Sequence, residues 1–200
     1  GATESPERRG AAAAPRVRPP RRIVLGDDDD DDVSDAIRTW VDGQDQAASL
    51  ATSDEFDTLG TSHAGTRVSE ILEGHCNAIR YPAKFEGPAR EAAMHILLHG
   101  PPGTGKTDLV ECAARRIRRA AEDAGRQFRY FNMSAASFTG SASTMHAQVA
   151  GLFKVAAETV SVVFLDECDM MLCRDKKMHE KFKAAWQKAF DRSQAIVIAT

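Results

Sequence analysis

Apolar residues along the second half of the chain alternate between two patterns. Runs of consecutive apolar residues predict four strands, at 94–99, 128–133, 162–165 and 195–199. Between these runs, apolar residues three and four positions apart predict amphipathic helices, and the first of them extends from Lys106 to near Gly125. Alternating strands and helices indicate an α/β fold, in which helices cover both faces of a parallel sheet. We expect the functional loops at the carboxyl ends of the strands.

Two further helices are predicted before the first strand. Apolar residues recur at helical spacing between 33 and 41, and again between 68 and 79. The small and polar residues between these segments indicate a linker, so we describe 33–54 as a short amphipathic helix followed by a linker. The first helix has two possible roles, docking on the domain or docking on a partner.

Charge is distributed unevenly, although the net charge is only −3 and 42% of the residues are apolar. Residues 1–22 carry arginines among Ala, Pro and Gly, and residues 27–32 are six consecutive aspartates. Because neither stretch can bury apolar surface, we predict that 1–32 is a disordered tail, first basic and then acidic. A solvated tail is favoured over one that binds nucleic acid, microtubule tails or anionic lipid.

The sequence lacks an apolar run long enough to predict a transmembrane segment, and its N-terminus lacks the apolar core of a signal peptide. Its cysteines show no paired metal-ligand spacing. Reduced, partly buried thiols in a cytoplasmic or nuclear protein are the favoured interpretation.

Residues 100–107 read Gly-Pro-Pro-Gly-Thr-Gly-Lys-Thr, between the first predicted strand and the helix that follows it. This is the pattern of a P-loop, whose glycines let backbone N–H groups surround the phosphates of a nucleoside triphosphate. Lys106 brings a cation to the β- and γ-phosphates, and Thr107 offers a hydroxyl to Mg²⁺. The predicted nucleotide contacts here are Gly100, Pro101, Pro102, Gly103, Thr104, Gly105, Lys106, Thr107 and Asp108.

The third predicted strand ends in Asp166 and Glu167, which is the pattern of a Walker B segment. Asp166 is placed to hold the water shell of Mg²⁺ opposite Thr107. Glu167 suits a second task, polarising the water that attacks the γ-phosphate, which favours a hydrolase over a small-molecule kinase. The 60-residue distance from Lys106 strengthens this interpretation, and we predict Lys106 and Glu167 as the catalytic residues.

Several motifs together resemble the AAA family of AAA+ ATPases, in particular the group with katanin, spastin, fidgetin and the ESCRT-disassembling sorting ATPase. Residues 56–60, Phe-Asp-Thr-Leu-Gly, resemble the motif that opens the family's ATPase domain beside the adenine, which implicates Leu59 and Gly60 in nucleotide binding. Residues 83–85, Ala-Lys-Phe, and 166–169, Asp-Glu-Cys-Asp, are also similar to segments of that group. The resemblance covers residues 55–200.

The resemblance implies a P-loop NTPase with a three-layer αβα sandwich, the large subdomain of an AAA+ ATPase. It also implies ATP and Mg²⁺ as ligands, assembly into a homo-hexamer, and a protein substrate threaded through the pore. The family's pore loop is aromatic-aliphatic-Gly, and Phe138, Thr139 and Gly140 take the corresponding place. The alternative for Phe138 is a loop residue packed on the core. The sequence departs from the family pattern at Ser137, Thr139 and 141–143.

By resemblance, a sensor Asn, the arginine fingers, a fifth strand and the helical lid would follow Thr200. The chain therefore looks like a fragment, expected to bind nucleotide weakly and to hydrolyse it poorly. Three functions remain open. The leading one is an oligomeric AAA ATPase that remodels or unfolds a protein; the second is an AAA+ ATPase acting on nucleic acid, of the clamp-loader or initiator type. The third, a nucleotide-binding scaffold without turnover, is disfavoured by Lys106, Asp166 and Glu167.

Overall fold

The computed structural model contains a sheet of four parallel strands: β1 (His95–Leu97), β2 (Phe128–Met133), β3 (Val160–Leu165) and β4 (Ile196–Ala199). Their order across the sheet is β1-β4-β3-β2. The structure describes residues 33–50, 63–84, 95–169, 186–187 and 195–200. All four predicted strands are therefore present, and the bounds of β2 are those that the apolar run predicts.

Within the ranges that the structure describes, four α-helices lie on the two faces of this sheet. They are α1 (Asp35–Gly43), α2 (His63–Arg80), α3 (Lys106–Asp123) and α4 (Ala142–Ala156). The hydroxyl of Ser34 caps α1 by accepting a hydrogen bond from the N–H of Ile37 at 3.4 Å. The chain leaves α3 through Gly125 in the left-handed conformation, with φ 64°, as the glycine at this position predicts. Short 3-10 turns occupy Ala47–Ser49, Pro82–Lys84 and Ala135–Ser137.

Side chains alternate along β3 between two hydrophobic clusters, one on each face of the sheet. Val162 and Phe164 belong to the cluster that contains the apolar residues of α2 and α3. Val163 and Leu165 belong to the cluster that contains those of α1 and α4. Every residue of β3 is buried. The fold is therefore the three-layer αβα sandwich with a parallel central sheet that the sequence predicts.

β1 differs from the buried strand that its apolar run predicts. Only Ile96 is buried, and the side chain of Leu97 is 71% exposed. The reason is its position, since β1 is the edge strand of the sheet within the described residues and pairs only with β4 there.

The segment predicted as a linker packs along β2 as far as residue 50. Asp45 forms an antiparallel bridge with Phe131, and the N–H of Gln46 donates to the carbonyl of Tyr130 at 2.7 Å. Leu50 is buried in the core. The segment therefore covers the outer side of β2. Val41 of α1 is buried in one cluster with apolar residues of α4, so α1 docks on the domain.

Several sequence-based predictions lie outside the described residues. These are the tail at 1–32, the motif at 56–60 with Leu59 and Gly60, and Phe85 of the segment at 83–85. Within the described ranges, none of the helices has the length and apolar character that crossing a membrane requires.

Candidate functional site

The register of the sheet brings two motifs to one edge. They are the P-loop and the acidic pair, which consists of Asp166 and Glu167. Leu97, Ala199 and Leu165 are register partners across β1, β4 and β3. The P-loop begins shortly after Leu97, and Asp166 follows Leu165 directly. Since neighbouring strands lie about 4.8 Å apart, the ends of β1 and β3 are separated by about 10 Å, with the end of β4 between them. A single site at the carboxyl edge of the sheet therefore includes both motifs.

The backbone of the P-loop has the conformation that an anion-binding loop needs. Gly103 and Gly105 both have φ 76°, in the left-handed region that residues with a Cβ avoid. Gly105 is also the N-cap of α3 and offers no side chain to satisfy the N–H groups of the first turn. Residues 101–105 are exposed. The helix N-terminus is therefore open to an anion, and this geometry fits a phosphate group.

Lys106 folds back over the loop. Its Nζ donates to the carbonyl of Gly100 at 2.9 Å and to that of Pro101 at 3.0 Å. The hydroxyl of Thr104 donates to the same Pro101 carbonyl at 2.9 Å. The ammonium group thus rests against neutral acceptors inside the loop, and anionic phosphate oxygens would replace these with stronger, charge-assisted hydrogen bonds.

Asp166 and Glu167 lie in the turn after β3. The N–H of Asp166 donates to the carbonyl of Met133 at 2.9 Å, so the turn is attached to the end of β2. Glu167 is exposed and has φ 52°, the only positive φ of a non-glycine residue among those described. A left-handed conformation at Glu costs about 1–2 kcal/mol, so the surrounding contacts must hold it.

Sequence reasoning did not find Thr200, whose side chain joins the same turn. Its hydroxyl donates to Oδ1 of Asp166 at 2.9 Å and lies 3.4 Å from the backbone N of Glu167. The available signals were a polar residue directly after an apolar strand and its place next to the sensor Asn that the resemblance implies. These signals point to Asp166 only once β4 is known to lie beside β3.

Two titratable groups near the acidic pair stay uncharged at neutral pH. Burial raises the pKa of the Cys168 thiol, and the charge of Asp169 raises it further. Burial also raises the pKa of the Tyr130 phenol, with smaller contributions from the carboxylates of Glu111 and Asp166. Cys168 is thus a thiol and not the thiolate that nucleophilic chemistry needs.

The structure corrects the prediction that Phe138 faces a substrate. Its side chain is only 2% exposed, and its ring centroid lies 5.8 Å from those of both Trp40 and Trp186. Burying an aromatic ring between two others is worth more than leaving it in solvent, so the alternative of a core-packed Phe is correct. Thr139 and Gly140 are exposed, and the N–H of Thr139 donates to Oε1 of Gln148 at 3.3 Å.

The comparison with protein families decides the classification. Residues 96–200 match the profile of the "ATPase family associated with various cellular activities (AAA)". The chain belongs to the AAA family. The matched region starts in β1 and includes the P-loop, the acidic pair and Thr200, so the site described above lies entirely within the AAA match.

Curated proteins similar to this AAA chain include several spastins. A spastin homolog of Caenorhabditis elegans is 32% identical over 116 residues, which cover 55% of this chain and 21% of that protein. Spastin of Homo sapiens is 38% identical over 98 residues, covering 48% of this chain and 14% of that protein. The chain thus spans about a fifth or less of the length of these relatives.

A solved structure described as "Structural Basis for Katanin Self-Assembly" has the same fold. It superposes with a TM-score of 0.55 at 22% identity, covering 86% of this chain and 54% of that one. The resemblance to the katanin and spastin group therefore rests on both sequence and fold.

Proposed function

We propose that this AAA domain binds ATP with Mg²⁺ and hydrolyses it, and that hydrolysis drives the remodelling or unfolding of a protein substrate by an oligomer. The observation that carries the proposal is the register, which sets the P-loop and the acidic pair on either side of the end of β4. A phosphate site alone would fit many nucleotide-binding proteins. An acidic pair at the same edge is what hydrolysis requires in addition.

Each residue of the site has its own proposed role in ATP binding or hydrolysis. The N–H groups of the loop and Lys106 bind the phosphates, and their positive character stabilises the charge that develops on the γ-phosphoryl group. Thr107 and Asp166 offer the hard oxygen ligands that Mg²⁺ prefers, and a bound Mg²⁺ would neutralise phosphate charge. Glu167 accepts a proton from the attacking water. Leu59 and Gly60 remain candidates for the adenine contact by resemblance.

We base the oligomer and the protein substrate on the resemblance to the katanin and spastin group. The named relatives are spastins, and the katanin structure is described by its self-assembly. We propose a homo-hexamer on this basis. Among the described residues, Cys76 and Cys168 are reduced thiols, which supports a cytoplasmic or nuclear location.

Helix α3 carries several arginines on one face, which is where a nucleic-acid substrate would be expected to bind. Their contacts give this alternative little support. Arg116 donates to the hydroxyl of Ser69 at 2.6 Å, and Arg118 pairs with Glu122 at 2.8 Å. Arg115 lies 3.6 Å from Glu111. These guanidinium groups are engaged inside the domain, which weakens the case for a phosphate-binding surface there.

The test of ATP binding is a comparison of two lysine variants of the full-length protein. Lys106→Ala removes the cation of the loop and should weaken binding of ATP with Mg²⁺ by about 10-fold or more, because a charge-assisted hydrogen bond contributes about 1.5–3 kcal/mol. Lys154→Ala is the control, since Lys154 lies in the last turn of α4, at the opposite end of β3 from Asp166. Isothermal titration calorimetry measures both. Equal affinity of the two variants would contradict the proposed phosphate site.

A further inference from the structure

Thr200 directs each of its polar groups at the turn that carries the acidic pair. Its N–H donates to the carbonyl of Leu165 at 3.0 Å, and its carbonyl accepts from the N–H of Cys168 at 2.9 Å. Its hydroxyl donates to Oδ1 of Asp166 at 2.9 Å and faces the backbone N of Glu167 at 3.4 Å. One residue at the end of β4 therefore contacts the four consecutive residues 165–168.

This arrangement restrains both members of the acidic pair in different ways. The short hydroxyl bond restrains the orientation of the Asp166 carboxylate, because it engages Oδ1. Oδ2 would then be the oxygen available to the water shell of a bound metal ion. The backbone bonds on either side of Glu167 hold that residue at φ 52°. A strained conformation persists only where its surroundings determine it, and Thr200 supplies a large part of those surroundings.

We propose that Thr200 is a positioning residue for ATP hydrolysis, which acts through Asp166 and Glu167 without touching the nucleotide. The inference rests on the proposed function of the same site. According to this proposal, the hydroxyl of Thr200 sets the orientation of the Asp166 carboxylate, and the size of the side chain does not. Groups that hydrogen-bond to metal-facing carboxylates affect metal affinity and activity by about 10- to 100-fold.

The experiment compares hydroxyl removal with hydroxyl retention in the full-length protein. Thr200→Val keeps the shape and loses the hydroxyl, whereas Thr200→Ser keeps the hydroxyl and loses a methyl group. For Thr200→Val we expect the Mg²⁺ concentration at half-maximal ATPase rate to rise and kcat to fall, each by about 10-fold. Thr200→Ser should stay within about threefold of wild type in both. Thr200→Ala also lacks the hydroxyl. If Thr200→Val does not fold, the same changes in Mg²⁺ dependence and kcat are expected of Thr200→Ala.

The matched control is Thr159→Val. Thr159 precedes β3 and its hydroxyl bonds that of Ser161 at 2.8 Å, so the variant removes a threonine hydroxyl at the end of β3 away from the acidic pair. We expect no change in its Mg²⁺ dependence. A role of Thr200 in stability alone would lower the melting temperature but leave the Mg²⁺ dependence of the folded protein at the wild-type value.

The failure of this inference and the failure of the proposed function give different results. If wild type hydrolyses ATP and Thr200→Val has the same kcat and Mg²⁺ dependence, the positioning role is wrong and the ATPase stands. If Thr200→Ser is as impaired as Thr200→Val, the methyl group matters and the hydroxyl role is wrong. If wild type itself shows no ATP turnover, the proposed ATPase function is wrong, and the role of Thr200 in hydrolysis is wrong with it.

Discussion

Gly103 and Gly105 show how single residues prepare the phosphate site. Both have φ 76°, and no atom lies within 4 Å of a Cβ built at Gly103, so the requirement there is conformational and not one of space. Any residue with a Cβ would carry strain of about 1–2 kcal/mol at such an angle. The glycine at 103 is therefore required for its backbone conformation alone.

Gly105→Ala tests whether this conformation matters for binding in particular. We expect it to lower the free energy of unfolding by about 1–2 kcal/mol and to weaken ATP binding by at least about 10-fold, because relief of the strain would move the N–H groups. Gly125→Ala is the matched control, since Gly125 has φ 64° at the other end of the same helix. It should cost similar stability and leave ATP affinity unchanged. Equal loss of affinity in both variants would show that general destabilisation is responsible.

At the residue scale, the sequence predicts those parts of the site that are contiguous in the chain. The P-loop and the acidic pair could be recognised because strand, turn and helix follow one another directly. The contact of Thr200 with Asp166 joins residues 34 positions apart and depends on strand order. The burial of Phe138 depends on Trp40 and Trp186, which belong to distant segments, so local sequence could only leave both options open.

At the scale of elements, the contact between α1 and α4 is the feature that sequence left undecided. A Cβ at Gly151 would overlap Cγ2 of Ile37, so the two helices approach as closely as a glycine allows. Arg38 and Glu158 form two hydrogen bonds at 3.0 and 2.8 Å beside this crossing. Helix α1 is therefore part of the folded domain.

The pair Gly151→Ala and Gly74→Ala tests the close approach of α1 and α4. Each variant replaces a glycine inside a helix, which by itself stabilises by up to about 1 kcal/mol. Gly74 has nothing within 4 Å of a Cβ, so we expect this gain there. At Gly151 the overlap with a stiff β-branched side chain should reverse the sign, at a cost of about 1–3 kcal/mol. Denaturant unfolding measures both, and a stabilising Gly151→Ala would contradict the docking of α1.

Stability should depend on pH through Glu158. The hydrogen bond from Arg38 lowers the pKa of this carboxyl below its usual 4.5 in the folded protein. A depressed pKa contributes stability above the unfolded value, and this contribution is lost as the pH falls through the folded value. The pair is half-exposed, so we expect no more than about 1 kcal/mol. The difference in melting temperature between wild type and Glu158→Gln should be largest above pH 5, and it should shrink as the pH falls below 4.5 through the folded pKa. A difference that does not change with pH would exclude the ion pair as its source.

Strands and helices were predictable because each has its own periodicity, whereas the segment after α1 was not. Residues 42–50 are small and polar, which is typical of a linker. They are ordered by partners on β2, such as Tyr130 and Phe131, that no local pattern reveals. The exposed position of β1 was missed for the same reason, since an apolar run does not reveal the place of a strand in the sheet.

At the scale of the whole molecule, the chain covers 54% of the katanin chain that it matches. In P-loop ATPases a neighbouring subunit can supply an arginine that stabilises the transition state, and such a residue is worth about 10³–10⁵ in rate. Under the proposed oligomeric mechanism, turnover should depend on assembly. We expect the ATPase rate per subunit of the full-length protein to rise with protein concentration, until the oligomer seen by mass photometry is fully formed. A rate per subunit that is constant across this range would contradict an oligomeric mechanism.

The most direct test of the central claim is steady-state ATP hydrolysis by the full-length protein, compared with its Glu167→Gln variant. This substitution keeps the size of the side chain and removes the proton acceptor. We predict that wild type turns over ATP, and that Glu167→Gln binds ATP but hydrolyses it at least about 100-fold more slowly, as the loss of a general base implies. Equal rates in the two proteins, whether both high or both negligible, would contradict the assignment of this site as an ATPase centre.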